Sequence, residues 1–168
     1  ADVVAASASV AAGSSGALAV AIAASMAANL IENETRALID DSSVSARGPL
    51  SLTADSSLSV DVTGFAAAMS VAGSGTLAIG ASITVAQVNN IVNGVVVALF
   101  FDADAAESES VPGGGPVTLT ATNVNDIGAF SGSAAVTVTG TAGSVSLGAS
   151  AAVALADNAV GTDVLAGI

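Results

Sequence analysis

The feature that most constrains this chain is an alternating apolar tract that occurs three times. "SGALAVAIAASMAAN" from Ser15 returns as "SGTLAIGASITVAQVNN" from Ser74 and as "AGSVSLGASAAVALADN" from Ala142. Counted from Gly16, Gly75 and Gly143, the even offsets hold Leu18, Val20, Ile22, Ala24 and Met26 in the first copy. The second gives Leu77, Ile79, Ala81, Ile83 and Val85, and the third Val145, Leu147, Ala149, Ala151 and Val153. The first tract alone is ambiguous between helix and strand, because alanine suits either. A period of two across three copies, with β-branched residues in the second, is a strand pattern, and copies of one repeat share one structure.

Between the larger residues stand only small ones, such as Ala19, Ala21, Ala23 and Ser25, or Ala78, Gly80, Ser82 and Thr84. A solvated strand face ordinarily carries charged and polar side chains. A nearly uncharged small-residue face instead suits close sheet-on-sheet packing, within the chain or against a neighbour.

The anchoring glycines lie 59 and 68 residues apart (75 − 16 and 143 − 75). "GPLSLTA" from Gly48 returns as "GPVTLTA" from Gly115, with an insertion around "ESESVPGGG". "AGSSG" at Ala12, "AGSG" at Ala72 and "GTAG" at Gly140 break the runs, and each long strand is followed by asparagine: Asn29 and Asn33; Asn89, Asn90 and Asn93; Asn158. Glycine and asparagine tolerate tight corners, and stacked asparagines form ladders. The glycine turns either close antiparallel hairpins or turn between sheets. After the asparagines, Ala37, Ile39, Val44, Ala46, Leu50 and Leu52 have the spacing of inward residues on two short strands. The pattern predicts an all-β fold, a β-solenoid resembling a parallel β-helix and built from repeats of about 60 residues. Each repeat holds roughly three coils of ~20 residues, or one wide coil with a hairpin arm at the Gly-rich turn. Residues 1–168 form a single repetitive β domain, with repeat boundaries near 15, 74 and 142.

"ASMAANLIENETRALIDDSSVSARGPLSLTA" and its echo "ASITVAQVNNIVNGVVVALFFDAD" resemble the tandem-repeat β-solenoid regions of large secreted bacterial surface proteins, of the haemagglutinin-like and autotransporter adhesin type. The resemblance covers nearly the whole chain and rests on pattern, not on a chemical motif. It implies an extracellular, elongated, adhesive or filament-forming protein with no catalytic residues to carry over. This chain departs from such proteins in holding only about two and a half repeats.

Composition narrows the chemistry. Two Lys+Arg face fourteen Asp+Glu, a net charge of -12. This disfavours nucleic acid and anionic membrane surfaces, which require clustered cations. No apolar run reaches the ~18 residues of a membrane span. An apolar content of 52% with 10% charged residues is the reverse of a disordered composition. Without His or Cys there are no His-based triads, thiol nucleophiles or N/S zinc sites, and without Lys no Schiff base. An enzyme is not expected. Asp40, Asp41, Asp102, Asp104, Glu107 and Glu109 offer oxygen-only candidates for Ca²⁺, although no EF-hand or glycine-rich nonapeptide surrounds them, and solvated loops that keep a filament soluble are the favoured account. No other cofactor is implied. Thr118, Thr120 and Thr122, then Thr137, Thr139 and Thr141, read as ordinary solvent-facing strand positions.

An acidic, lysine-free chain with only Arg36 and Arg47 as tryptic sites suits the cell surface or the extracellular space. The sequence opens and closes inside a repeat, on Ala1 and Ile168, which predicts open strand edges and either a longer array or joining of subunits. The expected partner is the chain itself, as a head-to-tail homopolymer, with cell-surface or matrix contacts as further candidates. The rival expectation is a non-catalytic stalk or ligand-binding segment of an adhesin.

Overall fold

A computed structural model describes residues 1–42, 44, 48–101, 115–143 and 145–168. Among these residues are six strands: β1 (Asp2–Gly13), β2 (Ala17–Asp40), β3 (Leu50–Ser74), β4 (Leu77–Phe101), β5 (Val117–Thr141) and β6 (Val145–Gly167). The fold is all-β, with parallel strands in two three-stranded sheets, β1-β3-β5 and β2-β4-β6. Each repeat contributes one strand to each sheet. The glycine turns therefore carry the chain from one sheet to the other, and none closes an antiparallel hairpin among the described residues. Among the described residues no helix is long and apolar enough to cross a membrane.

Three expectations are corrected. The strands after the first are 23 to 25 residues long, so a repeat is not divided into three coils of ~20 residues. The asparagines do not make corners: Asn29, Asn90 and Asn158 lie within β2, β4 and β6. Their amides bond to one another, Asn29 Nδ2 donating to Asn90 Oδ1 at 3.2 Å and Asn90 Nδ2 to Asn158 Oδ1 at 2.9 Å. An inward amide satisfied in this way leaves the backbone extended. Finally, the glycines mark corners but not the first register. Asp2 pairs with Thr63, and Asn29 meets Asn90 at a separation of 61 residues, two more than the glycine spacing. Gly75 stacks on Ser14 instead of Gly16. A shift of two leaves every side chain on its face. The later separation of 68 holds at Asn90 and Asn158, and Leu50 N donates to Pro116 O at 3.0 Å, where the two Gly-Pro markers stack.

The chain divides into two compact units, each drawing a piece from every repeat. Unit 1 comprises Ala1–Asn29, Asp61–Asn90 and Gly128–Asn158. Its interior is the small-residue face. Ala19 is 2% exposed and Ala21 3%, whereas Leu18 is 65% exposed and Met26 72%. Ala21, Ala23, Ala66, Ala68 and Ala86 form one cluster, with Ala5 against it. Close approach is enforced by glycine: a Cβ on Gly64 would lie 2.7 Å from Val88 Cγ2, and one on Gly80 2.7 Å from Thr137 Cγ2. Unit 2 comprises Leu30–Val60, Ile91–Ile127 and Ala159–Ile168. Its core uses larger residues. Val92, Val96 and Phe100 are buried, and Ala54, Val96 and Ala98 pack with Ala37, Leu119 and Ala121. Ile39, Val44, Leu50 and Leu52 are half-buried, in keeping with inward positions, while Ala46 lies outside the described residues.

Candidate functional site

The parallel register puts like residues beside like on neighbouring strands, and this builds polar ladders inside unit 1. Asn90 is fully buried at the centre of the asparagine ladder and also donates to Gly128 O at 3.4 Å. Further along, Ser70 Oγ donates to Thr137 Oγ1 at 3.2 Å. Ser82 Oγ donates to Val136 O at 2.7 Å, and Thr137 Oγ1 to Ala149 O at 2.8 Å. Buried hydroxyls cost stability unless paired, so these contacts fix which residues face each other. Ser9, in register with Ser70 on the edge strand β1, has a buried Oγ with no partner among the described residues.

The edges of the sheets are the most exposed regular structure. β6, last in its sheet, is exposed at every described residue except Thr162 and Gly167. β1 and β2 form the opposite edges. An edge strand presents a row of unpaired backbone donors and acceptors that can template another strand.

The acidic candidates are not brought together. Asp40 ends β2 and Asp41 follows at φ 42, the left-handed region; both are exposed. Ser42 Oγ donates to Asp40 O at 2.7 Å, and Asp41 N to Phe101 O at 3.3 Å, so the pair forms a stabilised strand end. Asp102, Asp104, Glu107 and Glu109 lie outside the described residues. Among the described residues no group of three or more acidic side chains is arranged to hold a metal ion. The threonine arrays divide. Thr118, Thr120 and Thr122 face solvent, whereas Thr137, Thr139 and Thr141 are half-buried, and Thr137 belongs to the interior hydroxyl cluster.

Unit 2 also carries a cleft of about 620 Å³, not anticipated from the sequence. Glu32, Glu34, Asn93 and Asp163 line its mouth, beside Asn33 and Thr162. Asn33 Nδ2 donates to Ser56 Oγ at 2.8 Å, and Asn125 Nδ2 to Thr162 Oγ1 at 3.3 Å. Glu34 is paired with Arg36. The cleft arises where the ladder position four residues beyond Asn29, Asn90 and Asn158 changes from Asn33 to Gly94 to Thr162. The missing side chain at Gly94 leaves room, since a Cβ there would come 3.4 Å from Asn123 Nδ2. The asparagine register would have revealed it. Unit 1 has a shallower apolar groove of about 440 Å³ beside Ala8, Met69 and Val136.

Compared with protein-family models, with curated proteins and with solved structures, the chain matches none.

Proposed function

We propose that the chain is a β-solenoid that serves as a structural subunit or segment of an extracellular filament, joined head-to-tail through open β edges. The single observation that supports this most is β6, exposed along nearly its whole length at one end of a parallel sheet whose other edge is β2. In a parallel stack the last strand of one copy meets the first strand of the next as its own predecessor met it. Such heterologous contacts do not close, and they generate open assemblies. The chemistry is that of packing, and no role for a cofactor enters. The surface location follows from the acidic, lysine-free composition and the resemblance to secreted repeat proteins.

A second reading, a stalk or ligand-binding segment of an adhesin, is favoured by the cleft at Asn33, Gly94 and Thr162. Negative-stain electron microscopy of the purified chain, with sedimentation velocity across concentrations, separates the two. Unbranched fibres of uniform width that grow with concentration are the expected result. Isolated short rods at all concentrations would remove the filament and leave the stalk.

A further inference from the structure

We infer that the asparagine ladder sets the register and polarity of self-association, with Asn158 of one copy donating to Asn29 of the next. The inference rests on the head-to-tail reading and specifies its joint. The ladder has a direction. Asn29 donates to Asn90, and Asn90 donates to Asn158. At the β6 edge this leaves the Asn158 Nδ2 amide as the ladder's open donor, and at the β2 edge Asn29 Oδ1 as its open acceptor. Two β2 edges meeting would set acceptor against acceptor, and two β6 edges donor against donor. Only the head-to-tail meeting continues the chain of bonds.

The other sheet carries a parallel signal. Ser9, Ser70 and Thr137 occupy one ladder on β1, β3 and β5, and Ser70 already donates to Thr137. Ser9, at the open β1 edge, is the member with a buried Oγ and no partner. Stacking in the asparagine register brings Thr137 of the preceding copy to that hydroxyl. Two ladders in different sheets thus call for the same neighbour, which on the head-to-tail reading is a second copy of this chain.

The corner between the sheets makes this joint weaker than those inside a copy. A Cβ on Gly75 would overlap the carbonyl oxygen of Ser14, and one on Gly143 that of Gly75. The first repeat has Ser14 at the same place, so the joint between copies must accommodate a Cβ that the internal joints lack. Ser14 therefore limits the length of the assembly.

The chain has no cysteine, so introduced thiols report without interference. Adjacent strands lie ~4.8 Å apart, within the Cα separation of ~4.4–6.8 Å that a disulfide spans. A chain carrying Ala28→Cys and Asp157→Cys, which stand in the same register one residue before Asn29 and Asn158 and leave the ladder intact, is expected on oxidation at fibre-forming concentration to give covalent trimers and longer multimers on a non-reducing gel. The offset pair Ala28→Cys with Leu155→Cys is expected to give none. In the otherwise unaltered chain, Ser14→Gly is expected to lower the critical concentration for assembly about tenfold. Multimers from the offset pair alone, or none from the aligned pair while the parent chain forms fibres, would overturn the register and leave head-to-tail joining intact. An unchanged critical concentration for Ser14→Gly would overturn the role of the corner. No fibres from the parent chain would remove the head-to-tail reading and this joint with it.

Discussion

Units 1 and 2 are cut from the same three repeats yet differ in what they bury and in where their charge lies. Unit 1 buries mostly alanine and serine, with Val62 and Val88, and shows Leu18, Ile22, Met26, Met69 and Phe130 to solvent. Unit 2 buries Val92, Val96 and Phe100 and shows Glu32, Glu34, Asp55 and a row of serines and threonines, interspersed with exposed Leu30, Leu38, Phe101 and Val124. Of the fourteen acidic residues only Asp2, Asp61 and Asp157 fall in unit 1, and both arginines fall in unit 2. The stabilising terms differ accordingly. A buried alanine removes little apolar area from water, at about 25 cal/mol per Å², so unit 1 relies on close backbone approach and hydrogen-bonded ladders. Unit 2 rests on ordinary apolar burial with a solvated outer face.

The largest expected effect comes from emptying the conventional core. Phe100→Ala in unit 2 should cost about 3–5 kcal/mol in urea unfolding, the range for a buried aromatic truncated to a methyl group. Unit 1 has no interior residue that can lose so much. Its vulnerability is enlargement. Ala78, fully buried beside Ala19 and Ala72, has no space for three more carbons. Ala78→Leu should therefore destabilise by about 1–3 kcal/mol through overpacking. A neutral result would mean that the small-residue face does not line a tight interior.

Much of the fold was legible. The period of two in three alanine-dense tracts identified strands where propensity alone would have allowed helix, and the Gly48 and Gly115 markers gave the later register correctly. The small-residue face could be recognised as a packing face because it was uncharged, but periodicity cannot say what it packs against. The first register was missed because Gly16 and Gly75 look alike while occupying different corner positions; only the stacking of Gly75 on Ser14 separates them. Strand length was missed because asparagine was read for its turn propensity. In a parallel stack its neighbours are other asparagines, and the ladder overrides the local preference. The candidate site shows the same limit. The acidic residues were conspicuous and are not gathered, whereas the cleft depends on Gly94, whose contribution is an absent side chain.

The ladder sharpens the comparison at an intermediate scale. Among the described residues Asn90 is the one asparagine of the ladder bonded on both sides, to Asn29 and to Asn158. Asn90→Ala removes both bonds and leaves the half-buried Asn29 amide short of a partner, so a loss of about 1–3 kcal/mol is expected. Asn93, exposed on the outer face of β4 in unit 2, provides the control, and Asn93→Ala should be nearly neutral. Equal losses at the two positions would show that the ladder adds nothing beyond strand propensity.

The smallest expected effect tests the inversion most directly. Leu18 and Ile22 look like core residues by every compositional rule, and in a conventional sandwich replacing either with serine would cost several kcal/mol. Here both lie on the outer face of β2, 65% and 63% exposed. Leu18→Ser and Ile22→Ser should each shift unfolding by no more than about 0.5 kcal/mol, the range for surface positions away from special features. They should also reduce the binding of a hydrophobic dye, because they interrupt the exposed apolar row of Leu18, Val20, Ile22 and Met26. A loss of several kcal/mol at either position would mean that the larger residues face inward and the alanines outward. Unit 1 would then be built like unit 2, and the contrast between them would disappear. The two residues share a strand face with Val20 and Met26, so the paired variant should be additive to within a few tenths of a kcal/mol only if none of them packs into a core.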